Sequence, residues 1–171
     1  MFEKILVAVD RSETSRQAFE QAILLAKANN GRLMLINVVS PAGLDAGYPN
    51  LSFPVPDAAY VAGQTEALQT YLQQWETMRQ QDLELLKSWS EHAKTAGIPA
   101  EYTQPLGDPG KEICQLAQTW RANLIIMGRR GRTGLQELFL GSVSNYVTHH
   151  APCSVLTIQG QIEPGAEAVS P

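Results

Sequence analysis

The stretch from Met127 to Val147 reads MGRRGRTGLQELFLGSVSNYV. It continues the apolar run NLIIM (Asn123 to Met127), leaves it on Gly128, spends a second glycine at Gly131, and enters a helical pattern through Gly141-Ser142, with Val143, Tyr146 and Val147 as the inward stripe. In open α/β sheets ligands bind beyond the carboxyl ends of the strands, where the strand order reverses. Glycine at position 128 lets the backbone approach a ligand closely and exposes amide N–H groups to an anion. A helix opened by Gly141-Ser142 turns its free N–H groups and positive dipole end outward, and Ser142 adds a hydroxyl donor. With Arg129, Arg130 and Arg132 close by, the stretch predicts a phosphate cradle built on backbone.

The rest of the chain supplies the sheet that such a cradle needs. Five runs have strand length: Lys4 to Val9, Arg32 to Val39, Ala100 to Leu106, Asn123 to Met127 and Cys153 to Ile158. Four are near-continuously apolar, as strands buried on both faces are. The third alternates and carries Pro105, which suits a sheet edge. Helical patterns separate the runs. Phe19, Ala22, Ile23 and Ala26 form a stripe entered through a capping-box pattern, Thr14-Ser15-Arg16-Gln17, and left at Asn29-Asn30-Gly31. Ile113, Leu116, Ala117 and Trp120 form another, with Asp108 as N-cap and Pro109 at the first helical position. Strands alternating with helices give one open parallel α/β domain with helices on both faces.

Between the second and third strands the sequence is longer than this architecture requires. Ser40 to Ala59 is rich in Pro and Gly and reads as an irregular insertion at about 40–60. A helical pattern comes next, from Leu68 through Trp75 and Trp89 to Ala93, too long for a strand to match. Only the part from about Leu83 to Ala96 is expected on the sheet, with the earlier part projecting or kinked. The domain is expected over 1–159, with 160–171 as a C-terminal tail.

Composition narrows the function. The 171 residues contain 44% hydrophobic side chains, with mean hydropathy −0.16 and no run of membrane-spanning length. The start MFEKILVAVD closes a five-residue apolar run on aspartate, unlike a secretory signal, so a cytoplasmic location is expected. A net charge of −4 argues against nucleic acid as the main partner but leaves room for a small phosphorylated ligand. The two cysteines, Cys114 and Cys153, form no metal or redox motif and read as free, mostly buried thiols.

Several residues also have a plain structural role. Asp10 could cap the following helix together with Ser12. Arginines beside a loop commonly form a solvated face. Neighbours His149 and His150 point in different directions around a helix and lack further ligands at metal spacing. His92, Trp75 and Trp89 belong to a packing face.

The familiar phosphate motifs do not fit. Gly-x-Gly-x-x-Gly would need glycine at Ile126, and Gly110-Lys111 is no Walker A because position 105 is proline. What stands is Gly-x2-Gly-x9-Gly-Ser, formed by Gly128, Gly131, Gly141 and Ser142. With the first strand ending ILVAVDRSETS, the second ending NVV and the last reading PCSVLTI, the chain resembles the ATP-binding branch of the universal stress protein family over roughly Met1 to Gln159. That resemblance implies a flavodoxin-like, Rossmann-like five-stranded sheet in the order 3-2-1-4-5, a homodimer through the fifth strand, and ATP, with Mg²⁺, held without a Walker lysine. It puts Asp10 at the ribose and triphosphate, Ala8 and Val38 beside the adenine, and Met127 and Gly128 under the nucleotide. Gly131, Gly141, Ser142 and Val143 would cradle the phosphates, with Arg130 beside them.

Three functional classes are open to such a chain: a nucleotide-dependent regulatory protein, which switches shape or protein partner and hydrolyses ATP slowly at most; an adenylate-forming or ATP-hydrolysing enzyme; and a flavin electron carrier. The second lacks the strand-end loop Ser-Gly-Gly-x-Asp-Ser, since DRSETS succeeds Val9, and Asp10 is its sole candidate base. The third would place its Ser/Thr/Gly-rich loop after the first strand. The first class fits best.

Overall fold

Short apolar runs and long amphipathic ones alternate along the chain, and they fold as β1 (Lys4–Ala8), α1 (Glu13–Asn29), β2 (Arg32–Ile36), α2 (Val61–Thr95), β3 (Ala100–Thr103), α3 (Pro109–Trp120), β4 (Leu124–Gly128), α4 (Ser142–His150) and β5 (Ser154–Ile158). This is a computed structural model, and it describes residues 2–40, 61–129 and 141–159. The insertion at 41–60, the Arg130 to Leu140 stretch and the tail from Gly160 lie outside the described residues.

All strand pairings are parallel, and the sheet order is β3-β2-β1-β4-β5. This is the expected flavodoxin-like order, with the alternating, proline-flanked third strand at an edge. Strand alternation divides the core in two. Ile5, Val7, Leu33, Leu35, Leu124 and Ile126 face α1 and α2, where they meet Phe19, Ala22, Leu86 and Ala93. Leu6, Met34, Ile36, Ile125 and Met127 face α3 and α4, against Ile113, Ala117 and Val147. Each central strand is therefore apolar on both faces, which is why its sequence reads as an unbroken hydrophobic run.

Helix ends show where local chemistry overrode the pattern. The capping box predicted at Thr14 to Gln17 does not form. Helix α1 starts two residues earlier, with Ser12 as N-cap accepting from the Ser15 N–H, because Ser12 is itself braced by Asp10. Asn30 ends α1 in the left-handed conformation, as the Asn-Asn-Gly exit predicts. Helix α3 has the predicted Asp108 cap and Pro109 in its first turn.

Helix α2 runs 35 residues without interruption. Among its described side chains the buried ones begin at Asp82 and continue through Leu86, Ser90 and Ala93, while Leu72 is 53% exposed. The second half thus packs on the sheet, while Leu72 in the first half is turned to solvent.

Candidate functional site

The site is set by the reversal of strand order. After β1 the sheet grows one way through β2 and β3, then restarts on the other side with β4, so the crevice lies between the carboxyl ends of β1 and β4. Ala8 and Met127 are register partners there. Both face the α3/α4 layer, and Val38, two residues beyond the end of β2, packs against the same cluster. Three of the sequence-predicted contacts therefore share one face.

Gly128 closes β4 opposite Ile158. The next residue, Arg129, anchors the start of α4. Its carbonyl oxygen accepts from the Gly141 N–H at 3.1 Å and from the Ser144 hydroxyl at 2.8 Å, which brings the first turn of that helix to the end of β4. Gly128, Gly141, Ser142 and Val143 are thereby gathered at one place. Arg129 sends its guanidinium to Gln159 Oε1 at 2.7 Å, along the β5 side of the sheet. Arg130, Gly131 and Arg132 lie outside the described residues.

The start of α4 differs from those of α1 and α3. In α3 the Asp108 carboxylate accepts from the Lys111 N–H at 2.9 Å, and in α1 Ser12 fills the corresponding place. Gly141 caps α4 with no side-chain hydrogen bond. An α-helix leaves its first-turn N–H groups without an acceptor inside the helix, and among the described residues no side chain fills that place in α4, an arrangement that favours an anion. Ser142 beside them is exposed, whereas Ser144 is buried and turned back onto the Arg129 and Gly141 carbonyls.

Asp10 stands at the end of β1 and already has a structural task. Its Oδ1 accepts from both the N–H and the hydroxyl of Ser12, and its own N–H donates to Ser15 Oγ at 2.8 Å. Its other carboxylate oxygen makes no hydrogen bond among the described residues. Asp10 is thus a brace of the α1 cap through its N–H and Oδ1.

Asn37 and Ser144 are among the groups that escaped the sequence reading. Asn37, 7% exposed, donates to the Val9 carbonyl at 3.0 Å and accepts from Gln104 at 3.2 Å. A lone amide inside the apolar run MLINVV was the available signal, since a polar residue there must find partners when buried. Ser144 was hidden within GSVSN. His150 stacks on Tyr146 at 4.0 Å between ring centroids, and His92 lies edge-on to Phe19, which itself stacks on Trp89. No group of three or more metal-ligating side chains occurs among the described residues. Cys114 and Cys153 are free but only half-buried, less covered than expected. Burial pushes both thiols above their ordinary value, and the neighbouring Cys114 adds to the shift of Cys153.

The universal stress protein family model matches residues 1–159. The chain belongs to the universal stress protein family. It is 36% identical over 159 residues to universal stress protein Sll1388 of Synechocystis, covering 92% of this chain and 98% of that one. Its fold is shared with universal stress protein UspA from Lactobacillus plantarum, at a TM-score of 0.70 and 21% identity, with 92% of this chain and 97% of the other covered. A member from Arabidopsis thaliana solved with AMP bound superposes at a TM-score of 0.58 and 20% identity, with 93% and 92% covered. Two further members of this fold were solved with cAMP and with dAMP, at TM-scores of 0.58 and 0.59. Among the described residues, no helix of this universal stress protein is long and apolar enough to cross a membrane.

Proposed function

We propose that this protein binds an adenine nucleotide, ATP with Mg²⁺, in the crevice between the ends of β1 and β4, and that occupancy modulates its conformation or its choice of protein partner. The observation that carries this reading is the uncapped start of α4, held against the end of β4 by Arg129. Open N–H groups at a helix start favour a phosphate. Ala8, Val38 and Met127 would line the base, Asp10 would meet the ribose and phosphates, Gly128 would pass beneath them, and Arg130, Gly131, Gly141, Ser142 and Val143 would close the cradle. Relatives solved with AMP, cAMP and dAMP support adenine nucleotides as the ligand class. The triphosphate is what the resemblance of the Gly128, Gly131, Gly141 and Ser142 motif to the ATP-binding branch of the family implies.

Rapid hydrolysis would need a base positioned to activate water. Asp10 is the sole candidate base, and the reading gives it to the ribose and phosphates, so we expect turnover below the ~1 s⁻¹ low end of ordinary enzymes. We further propose a cytoplasmic homodimer joined through β5. Acid release of nucleotide from the purified protein, identified by mass, followed by calorimetry with ATP, AMP and cAMP, tests the reading. Gly131→Val should block binding by placing a branched side chain in the cradle. Equal ATP affinity for the variant and the wild type would show the cradle to be misassigned.

A further inference from the structure

One turn of α2, from Met78 to Asp82, is tied to the carboxyl ends of three strands. Arg11, which sits between Asp10 and Ser12, sends Nε to Asp82 Oδ1 at 2.5 Å and Nη2 to the Met78 carbonyl at 2.7 Å. Gln104, just past β3, donates to the Arg79 carbonyl at 3.0 Å and to Asn37 Oδ1 at 3.2 Å. Asn37, just past β2, donates in turn to the Val9 carbonyl. The residues on both sides of Asp10 are thus anchored to the same helical turn, Arg11 directly and Val9 through two amides.

Asp82 is 1% exposed, and its carboxylate is the first buried side chain of α2 in chain order among the described residues. Burying a carboxylate is costly unless it is paired, and an apolar residue of similar volume often serves stability as well or better. What the pair adds here is geometry. A guanidinium forked between a carboxylate and a helix carbonyl holds its own backbone in one place more tightly than a single charge contact does.

We infer that Arg11 is a positioning residue for the nucleotide site: by fixing the Asp10–Ser12 segment to α2, it presents the Asp10 carboxylate to the ligand and makes the seating of α2 part of the binding equilibrium. The inference rests on the nucleotide reading above. It adds that the turn holding the site belongs to the single helix that runs from Val61 to Thr95.

The test is a double-mutant cycle by calorimetry with ATP on the full chain. Arg11→Ala is expected to weaken ATP binding by roughly tenfold, within the range of coupling between contacting residues. Arg11→Lys, which keeps the charge but not the fork, should lose less. In an Asp10→Ala background, Arg11→Ala should cost nothing more, because the carboxylate it positions is gone. A purely structural role would instead give the same loss in both backgrounds, tracking a fall in thermal midpoint, and would overturn the inference. So would an Arg11→Ala protein that binds ATP like the wild type. If Arg11→Ala does not fold, the Arg11→Lys loss, abolished by Asp10→Ala, decides the matter in the same way. A wild type that binds no adenine nucleotide overturns the functional reading and this inference together, whereas a binding wild type with an indifferent Arg11 overturns this inference alone.

Discussion

Ser144 donates its hydroxyl to the Arg129 carbonyl at 2.8 Å, linking the first turn of α4 to the residue that leaves β4. The backbone bond from Gly141 reaches the same oxygen. Together they fix the spacing between the last glycine of the strand and the first amides of the helix without relying on the chain in between. In the proposed reading, that distance sets whether one phosphate could meet both.

Replacing Ser144 by Ala removes that donor and the second bond to the Gly141 carbonyl at a position only 2% exposed. A loss of about 1–3 kcal/mol is expected, the usual cost of disturbing a buried hydrogen-bonded group. Urea unfolding measures it, and calorimetry should show weaker ATP binding in parallel. Unchanged stability would mean that the Gly141 bond alone holds the helix start.

The sheet was legible from sequence because its signals are local. Ile5 to Val9 and Leu124 to Met127 are continuous apolar runs of strand length, as doubly covered strands are, and the alternating third run, whose Pro105 falls just past β3, forms an edge. The start of α1 was misread because Thr14-Ser15-Arg16-Gln17 satisfies a capping pattern while Asp10, two residues before Ser12, settles the contest by bracing that serine. Of the candidate site residues, Gly128 and Gly141 stand out in the sequence by their places at a strand end and a helix start, whereas Ala8 and Met127 come only with the family resemblance. Arg11, Asn37 and Gln104 were not readable, since their partners lie 71, 28 and 67 residues away and no short window contains both ends.

Asn37 should prove costlier to replace than an ordinary strand-end amide. Asn37→Ala strips the Val9 carbonyl of its side-chain donor and leaves Gln104, whose Oε1 is already buried without a partner, with only the Arg79 carbonyl. A loss of about 1–3 kcal/mol is expected. Adding Gln104→Ala should then cost much less than it does in the wild type, because the two amides act as one unit. Additive losses in denaturant would separate them.

Gly110 is fixed by contact with α4. A Cβ there would lie 2.6 Å from Tyr146 Cδ1 and 3.1 Å from Tyr146 Cβ, too near the base of the side chain for the ring simply to swing away. Gly110→Ala should therefore destabilise by about 1–3 kcal/mol, as overpacking does. With Tyr146→Ala also present the sign should reverse, since alanine is otherwise the better helix former by about 1 kcal/mol. Thermal unfolding of the three variants settles it.

The thiols give a pH signature. Burial raises both Cys114 and Cys153 above the ordinary 9.0, so the folded chain keeps protons that the unfolded chain releases. That contribution to stability is fully present below pH 9 and is lost as pH rises through the higher folded values. Replacing both cysteines by alanine should flatten the fall in stability above pH 9. In the native wild type, iodoacetamide should label both more slowly than in the unfolded chain.

The hydrogen-bond ladder of β5 favours the expected homodimer. The Arg129 N–H donates to the Ile158 carbonyl at 2.7 Å, so Ile158 directs its backbone toward the β4 side. With a period of two, Leu156 and Ser154 do likewise, and Val155 and Thr157 point their N–H and C=O groups away from the sheet. β5 is an edge strand, and Leu156 is 37% exposed beside it. Such an edge invites a second copy, and two-fold pairing would satisfy the outward groups of both chains. Val155→Pro removes an outward donor while sparing the bonds to β4, so it should abolish the dimer and leave most of the monomer's stability intact. Leu156→Lys tests the neighbouring apolar contact by charge. Light scattering at micromolar concentration should return twice the 18.7 kDa chain mass for the wild type and the single chain for Val155→Pro. A monomeric wild type, or a Val155→Pro variant that stays dimeric, would move the interface away from this strand.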